Sequence, residues 1–316
     1  DWTVPRPDGY ARWRDEVLPG WPGPRFAFAA PDPKTGATRR HTFTPNPPGD
    51  PAALRVDLTA EGGADELWTF RRIAARGLFE PGAYPSDLTL VNWPMVDYTD
   101  GPVHGGTAEQ DAAHLDGAKR LSLAFLHWLQ TEAPRPDGGT GWPGLRPEPE
   151  ATGTPDGFAK AAYIRESRRI RALHTVTEQQ VALDARGDAA AVAFPDSVGI
   201  GAYRIDLHPS TGGDGYLDVG AAPFAIPLGA LLPVRLRNLL PAAKNLGTTH
   251  ITNGCYRLHP VEWNVGEAAG RLAAHCLARG LEPRQVRADP ALLAEFQDLL
   301  RRTGVELEWP SEVRGY

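Results

Sequence analysis

Apolar residues recur at helical spacing in several stretches of the chain. In residues 107–131 they fall close to one helical face, at Leu115, Leu121, Phe125, Trp128 and Leu129. This stretch begins with Thr107, a residue type that caps helix N-termini. The pattern predicts a helix over 107–131 and shorter helices over 10–18 and 66–78.

Two more helices are predicted toward the C-terminus. Small and apolar residues alternate at helical spacing over 262–278, and Gly280 follows as a C-terminal glycine. Asp289 precedes residues 290–303 as an N-cap, and a second glycine ends them. Both stretches therefore have a start signal or a stop signal at the expected place.

Short apolar runs predict strands over 170–176, 198–207 and 238–242. Polar connections rich in proline and glycine join the predicted elements, and the one richest in these residues, 133–157, is predicted to be a loop. The interleaving of helices and strands predicts an α/β fold with mixed α+β character, because the order of elements is too irregular for a simple doubly wound sheet.

The composition limits the class of ligand. The 316 residues carry a formal charge of -6, which does not attract nucleic acid or an anionic membrane, so we expect a small-molecule substrate. No run approaches the roughly 20 apolar residues of a membrane span. Cys255 and Cys276 have no disulfide or metal-ligand spacing, so we expect no metal site and a reducing, cytoplasmic location.

One stretch has the GxGxxG spacing of a dinucleotide-phosphate turn. It covers residues 139–144, but it follows Pro136 and Asp137 and contains Pro143. A phosphate turn must leave a strand and open a helix, so we interpret this stretch as a loop.

Residues 238–270 hold most of the candidate chemistry. An apolar strand leads into a loop, and the loop into a helix that we expect to begin near Gly266. A helix start leaves backbone N–H groups unpaired and directs a partial positive charge of about half an elementary charge outward. Such a start can bind an anion or an electron-rich ring oxygen. The loop carries the polar residues His250, Asn253, Tyr256, Arg257 and His259.

Three blocks follow one another along 157–283. They read YIRESRRI at 163–170, FPDS at 194–197 with YRIDLH at 203–208, and the strand, loop and GEAAG helix of 238–270. In this order they resemble FAD-dependent oxidoreductases of the two-domain type related to glutathione reductase. The resemblance implies the C-terminal portion of an FAD/NAD(P)-binding-type fold with an inserted substrate domain. It also implies FAD as cofactor and hydride transfer between the flavin and a small organic substrate.

The resemblance also implies how the chain is divided. Residues 1–157 would form a substrate or cap region with Trp-rich loops, 158–283 would return to the FAD-binding domain, and 284–316 would form a C-terminal helix and tail. Full-length relatives begin with a strand, a glycine-rich turn and an acidic residue for the ribose, and this sequence has no such beginning. We expect that segment to come from another chain or from a stretch outside this sequence.

Matched positions take their cofactor roles from the resemblance. The backbone N–H groups of Asn264, Val265 and Gly266 would face the pyrimidine edge of the isoalloxazine and stabilise the reduced flavin. Asn245 and Leu246 would lie along the ribityl and phosphate side.

Three more side chains are expected around the ring face or the substrate, namely Arg165, Arg257 and His259. We expect His259 or His250 to be the proton donor or acceptor beside the flavin, with Arg165 as a third catalytic candidate. The plainer alternative is that both histidines are ordinary hydrogen-bonded residues. The arginines near 165–171 would then form a solvated face that pairs with Glu166 and Glu178. Cys255 is either a thiol near the flavin or a small buried residue.

The aromatic residues allow two interpretations. Most of them are expected in a core, whereas Trp93 and Tyr98 lie in a turn that looks exposed and are the candidates for substrate binding. A rival function is a non-catalytic module, derived from a flavoprotein, that binds a carbohydrate or a protein partner. A hydrolase using His259 with Glu262 or Asp206 lacks a nucleophile motif.

Overall fold

The computed structural model describes residues 2–32, 34–47, 66–187, 189–310 and 313. The chain forms two compact units. Unit 1 consists of Asp1–Ala162 with His208–Tyr216, and unit 2 consists of Tyr163–Leu207 with Leu217–Tyr316. These units are defined by compactness, so the functional division at 157 and 283 stays a prediction.

Unit 1 combines one long helix with short elements. Its helices are α1 (Tyr10–Asp15), α2 (Leu67–Phe70), α3 (Ala108–Thr131) and α4 (Pro149–Thr152), with 3-10 turns at Arg76–Leu78 and Pro94–Val96. Its strands form two antiparallel pairs, β1 (Ala29–Pro31) with β2 (Thr38–Arg40) and β3 (Arg72–Ala74) with β4 (Leu88–Thr89).

Helix α3 confirms the prediction for 107–131. Thr107 and Gln110 form a capping box that satisfies two backbone N–H groups at its start. Its apolar face packs into an aromatic core, as expected for most of the aromatic residues. Buried members of that core are Tyr10, Trp13, Trp21, Phe26, Phe43, Trp68, Trp93, Phe125 and Trp128.

A charged side chain also lies inside unit 1. Arg25 is fully buried and forms an ion pair with Glu16 at 3.1 Å. Its guanidinium also donates to Thr99 Oγ1 at 3.2 Å. Burial lowers the pKa of Arg25, because removal from water disfavours the charged form.

The prediction of a helix over 66–78 is wrong beyond its first turn. The chain leaves α2 and enters strand β3, because buried Asp87 draws this stretch toward β4. The Asp87 carboxylate accepts the backbone N–H of Arg76 at 2.9 Å and pairs with Arg72 at 3.2 Å.

Unit 2 holds six helices and four strands in its described residues. The helices are α5 (Glu178–Val181), α6 (Leu183–Arg186), α7 (His250–Tyr256), α8 (His259–Arg279), α9 (Pro283–Ala288) and α10 (Pro290–Arg302), with a 3-10 turn at Leu228–Leu231. The strands pair antiparallel, β5 (Ser197–Gly201) with β8 (Phe224–Pro227) and β6 (Ile205–Leu207) with β7 (Leu217–Val219).

Helix α8 is longer at its start than predicted. It begins at His259, three residues before the predicted 262 and seven before Gly266, because Pro260 suits the first turn of a helix and the N–H of Glu262 already donates to Leu258 O at 2.8 Å. Its end at Gly280 is confirmed. The N-cap Asp289 of α10 is confirmed as well, since its carboxylate accepts two backbone N–H groups.

The three predicted strands agree with the structure to different extents. The stretch 198–207 contains β5 and β6. The stretch 170–176 is extended but irregular: Leu173 N donates to Leu232 O at 2.8 Å, while Val176 N donates to Gly247 O at 2.9 Å. A strand over 238–242 is wrong, since no regular element forms there and Pro241 has no N–H to donate.

The mixture of helices and short sheets confirms the mixed α and β class. All four named strand pairs of the described residues are antiparallel, so the α+β side of the prediction dominates. None of the helices in the described ranges has the length and apolar character needed to cross a membrane.

Two glycines of α8 allow a matched test of packing. Replacing Gly270 by alanine should raise the free energy of unfolding by roughly 0.5–1 kcal/mol, because alanine is the better helix former and the position is open. Gly266→Ala should gain less or lose stability, because its Cβ would lie 3.0 Å from Ala242 O. Urea unfolding followed by circular dichroism measures both changes. Equal gains would contradict the close contact at Gly266.

Candidate functional site

Two histidines of unit 2 stand at helix starts and meet the same segment. His250 is the first residue of α7 and His259 is the first residue of α8. The ring centroid of Tyr163 lies 6.2 Å from that of His259. Three residues further on, Glu166 Oε2 lies 3.1 Å from His250 Nδ1. Residues 163–166 therefore link the two histidines.

Arginines surround this segment. The guanidinium of Arg165 lies over the ring of Tyr163 at 5.1 Å, and Arg169 Nη1 lies 3.3 Å from Glu166 Oε2. Tyr163 is 57% exposed, so the segment is accessible from solvent. The structure thus brings together the three catalytic candidates of the sequence, Arg165, His250 and His259, although their roles stay predictions.

The start of α8 places its partial positive charge at His259 and Val261. The first backbone N–H groups of a helix have no carbonyl four residues earlier to bond with. Asn264, Val265 and Gly266 lie inside α8, so their predicted position at the start of a helix is wrong.

The side chains of those three positions have packing roles. Asn264 Nδ2 donates to Ile200 O at 3.2 Å, and Val265 is buried in the core of unit 2. Gly266 leaves room for the backbone at Ala242. Whether any of the three contacts a cofactor stays a prediction.

Asn245 and Leu246 lie beside the irregular stretch 170–176. Asn245 O accepts the backbone N–H of Ile170 at 3.0 Å, and the Leu246 side chain is fully buried.

Three buried side-chain atoms between Leu246 and α8 have no hydrogen-bond partner among the described residues. They are Thr248 Oγ1, Asn253 Oδ1 and Arg257 Nε. The rest of the Arg257 side chain is engaged, since Nη2 donates to Asp206 O at 2.8 Å. Buried polar atoms are normally paired with protein, water or ligand, so this set indicates a polar ligand or ordered water.

In unit 1 the two substrate candidates have different environments. Trp93 is only 2% exposed and packs in the aromatic core, so its expected exposure is wrong. Tyr98 is half-buried, and its hydroxyl lies 3.0 Å from His114 Nδ1. Burial raises the pKa of Tyr98.

A polar cluster beside Tyr98 was missed from the sequence. Asp97 Oδ2 lies 2.6 Å from His208 Nδ1, and the hydroxyl of Tyr216 lies 2.7 Å from the same nitrogen. Tyr216 also donates to Asp97 Oδ2 at 3.1 Å. His208 ends the YRIDLH block, but nothing local to it points to Asp97, which is 111 residues away.

The sequence model of the family described as FAD dependent oxidoreductase matches residues 18–300. The chain belongs to this family. FAD is therefore its cofactor, and its role is that of a flavin-dependent oxidoreductase. No curated protein matched the chain, and no solved structure matched it.

The residues of unit 2 fit the flavin end of FAD. Thr248, Asn253 and Arg257 offer a hydroxyl, an amide oxygen and a charged N–H, which suit ribityl hydroxyls and the polar edge of the pyrimidine ring. The start of α8 adds backbone donors. For the pyrophosphate, no GxGxxG turn joins a strand to a helix in the described residues, and residues 139–144 form a loop as expected.

The described ranges contain no group of three or more His, Cys, Asp or Glu side chains that could hold a metal ion. Cys255 and Cys276 are both unpaired and buried. Cys255 is therefore the small buried residue of the plainer interpretation, and its Sγ donates to Thr252 O at 3.3 Å.

The cluster around Asp97 can be tested through stability. Tyr216→Phe should lower the free energy of unfolding by about 1 kcal/mol, because Asp97 and His208 lose a hydrogen-bond partner. Tryptophan fluorescence in urea follows unit 1, since Trp263 and Trp309 alone among the nine tryptophans lie outside it. Tyr84→Phe, at an exposed tyrosine, is the control. Equal unfolding midpoints for both variants would refute the role of the cluster.

The cysteines should be unreactive in the folded protein. Burial raises the pKa of Cys255 and of Cys276, so little thiolate forms at neutral pH. We expect Ellman's reagent to label neither thiol until denaturant is added. A Cys276→Ala variant isolates Cys255, and rapid labelling of that variant in buffer would show that the thiol is accessible.

Proposed function

We propose that the protein transfers a hydride between a small organic molecule and FAD, as a two-domain flavoprotein of the type related to glutathione reductase. When bound, FAD supplies the redox chemistry by accepting or giving two electrons as a hydride. The family match supports the cofactor, and the set of unpaired buried atoms in unit 2 supports the position of the flavin end.

Backbone and side chains of unit 2 would hold the flavin end. The N–H groups of His259 and Val261 replace those near Gly266 as the donors at the start of α8. Their partial positive charge stabilises negative charge on a ligand, which favours a reduced flavin over an oxidised one. Thr248, Asn253 and Arg257 add specific polar contacts at the same end.

His250 and His259 are the proposed proton donors or acceptors. Imidazole is a common proton donor and acceptor in enzymes, and both histidines contact the accessible segment that starts at Tyr163. Arg165 would contribute positive charge beside them.

The substrate would bind to the middle region, residues 52–142, of which 52–65 lie outside the described residues. Tyr98 offers a half-buried hydroxyl for this role, and Trp93 would contribute only as part of the supporting core. Small-molecule sites combine apolar walls with a few polar groups, and Tyr98 lies beside such an aromatic core.

The pyrophosphate and ribose would be held by a segment that is not among the described residues, from another chain or a stretch outside this sequence. FAD needs such a cradle for its AMP half. We also propose a cytoplasmic location, which the two unpaired cysteines support.

A single hydroxyl provides a sharp test of flavin binding. Thr248→Val removes an oxygen that has no hydrogen-bond partner in the part of the chain that the structure describes, so the free energy of unfolding without FAD should stay equal or rise. The dissociation constant for FAD should rise roughly 2- to 10-fold through loss of one hydrogen bond. Titration followed by flavin absorbance at about 450 nm measures this dissociation constant.

Thr175→Val is the matched control, because Thr175 is an exposed threonine. Unchanged FAD affinity in Thr248→Val would show that Thr248 does not bind FAD. A protein that takes up no flavin, alone or with a segment carrying the phosphate turn, would contradict the redox function and favour the non-catalytic module.

A further inference from the structure

We propose that Arg168, Arg171 and Arg235 form a binding site for a phosphate group. All three belong to unit 2, and all three are exposed. The inference goes beyond the proposed function, because it depends on the placement and charge of these side chains and not on the reaction of the flavin. The phosphate belongs either to FAD or to a second small molecule, and binding experiments distinguish these two sources.

Two antiparallel stretches of backbone bring the three arginines together. Val234 N donates to Arg171 O at 2.7 Å. Arg235 follows Val234 directly, so its Cα lies within about 10 Å of that of Arg171. Arg168 precedes Arg171 by three residues, which span at most about 10 Å. Three long side chains therefore start from one small area of the surface.

These arginines differ from their neighbours because they are not engaged. In the part of the chain that the structure describes, none of the three guanidinium groups has a hydrogen bond, an ion pair or a ring contact. The carboxylate of Glu166 pairs with Arg169, and that of Glu282 pairs with Arg237. Nearby carboxylates therefore serve other arginines, which leaves three positive charges for a ligand.

The local charge is opposite to that of the whole chain. Residues 163–173 and 232–239 contain six arginines and one glutamate, whereas the chain carries a formal charge of -6. A positive area of this kind attracts anions. The negative charge of the rest of the chain repels nucleic acid and an anionic membrane, so a small anion is the favoured ligand.

The chemistry of guanidinium groups favours phosphate among small anions. Each guanidinium presents N–H donors in a fixed fork that fits two phosphate oxygens at once. A phosphate ester carries close to two negative charges and three acceptor oxygens, so it can engage several arginines together. A carboxylate has one charge and two oxygens, which a single bidentate arginine already engages.

The site adjoins the part of unit 2 that we propose for the flavin. Ile170, which lies between two of the arginines, donates its N–H to Asn245 O at 3.0 Å. Asn245 is one of the positions expected along the ribityl and phosphate side of FAD. Further along the same stretch, Val176 N donates to Gly247 O at 2.9 Å, one residue before Thr248. The site can therefore serve FAD itself or a phosphorylated substrate that reaches the flavin.

Inorganic pyrophosphate is the probe for this site. Isothermal titration calorimetry in low-salt buffer measures its binding to the protein without FAD, and we expect one pyrophosphate per chain. The triple variant Arg168→Gln, Arg171→Gln, Arg235→Gln should weaken binding at least about 10-fold, because charge-assisted hydrogen bonds are lost. Acetate should bind to the unmodified protein more weakly than pyrophosphate does.

Two further variants separate a specific site from total charge. Arg302→Gln removes another exposed arginine of unit 2 that has no ion pair among the described residues, and it should leave pyrophosphate binding unchanged. Arg171→Lys keeps the charge but loses the forked donors, so it should weaken binding less than Arg171→Gln does. Circular dichroism during urea unfolding checks that every variant is folded.

Titrations with FAD and riboflavin identify the source of the phosphate, because riboflavin has none. If the phosphate belongs to FAD, bound FAD should block pyrophosphate, and the triple variant should lose affinity for FAD but not for riboflavin. If it belongs to a second molecule, FAD-loaded protein should still bind pyrophosphate, and the triple variant should keep its affinity for FAD.

The outcomes separate this site from the proposed function. No pyrophosphate binding to the unmodified protein, or equal affinity in the triple variant, would overturn the site. An equal loss in Arg302→Gln would also overturn it. Binding to phosphatidylserine vesicles but not to pyrophosphate would show a membrane surface instead. A protein that binds pyrophosphate through the three arginines but takes up neither FAD nor riboflavin would overturn the proposed function and leave the site intact.

Discussion

The irregular stretch 170–176 is the constraint on which the candidate site depends. Its backbone bonds on one side to residues 229–234 and on the other to 245–249. Gly247 makes the second approach possible, because a Cβ there would lie 2.4 Å from the Cβ of Ala172. With 170–176 held in place, the residues just before it run past the starts of α7 and α8. The meeting of Tyr163 with His259, and of Glu166 with His250, follows from this backbone arrangement.

The sequence predicted the long helices well because their signals are local. Thr107 and Asp289 cap α3 and α10, and Gly280 ends α8. The predicted start of α8 was wrong, because the sequence does not distinguish a glycine that allows another backbone segment to pack closely from a glycine at the start of a helix. Gly266 serves the close approach of Ala242. The error in 66–78 has a similar origin, because the carboxylate of Asp87 that redirects the chain is remote in sequence.

The candidate site was predictable in part. The family blocks drew attention to Arg165, His250 and His259, and the structure gathers these three along one segment. The hydrogen-bond partners of these residues could not be predicted, because in the sequence Glu166 is only one charged residue within a basic run. Asp97 and His208 are even less visible from sequence, since only the fold brings them together. Pairing between distant polar groups has no periodicity that a single sequence can display.

The ion pair of unit 1 limits which amino-acid substitutions this protein can tolerate during evolution. Arg25 is buried within an aromatic core, and the carboxylate of Glu16 forms an ion pair with it. Loss of Glu16 alone would leave the guanidinium charge buried without its ion-pair partner, whereas replacing both residues with apolar ones of similar volume would not. Positions 16 and 25 should therefore vary as a pair among homologues, and a substitution at one should depend on the residue at the other.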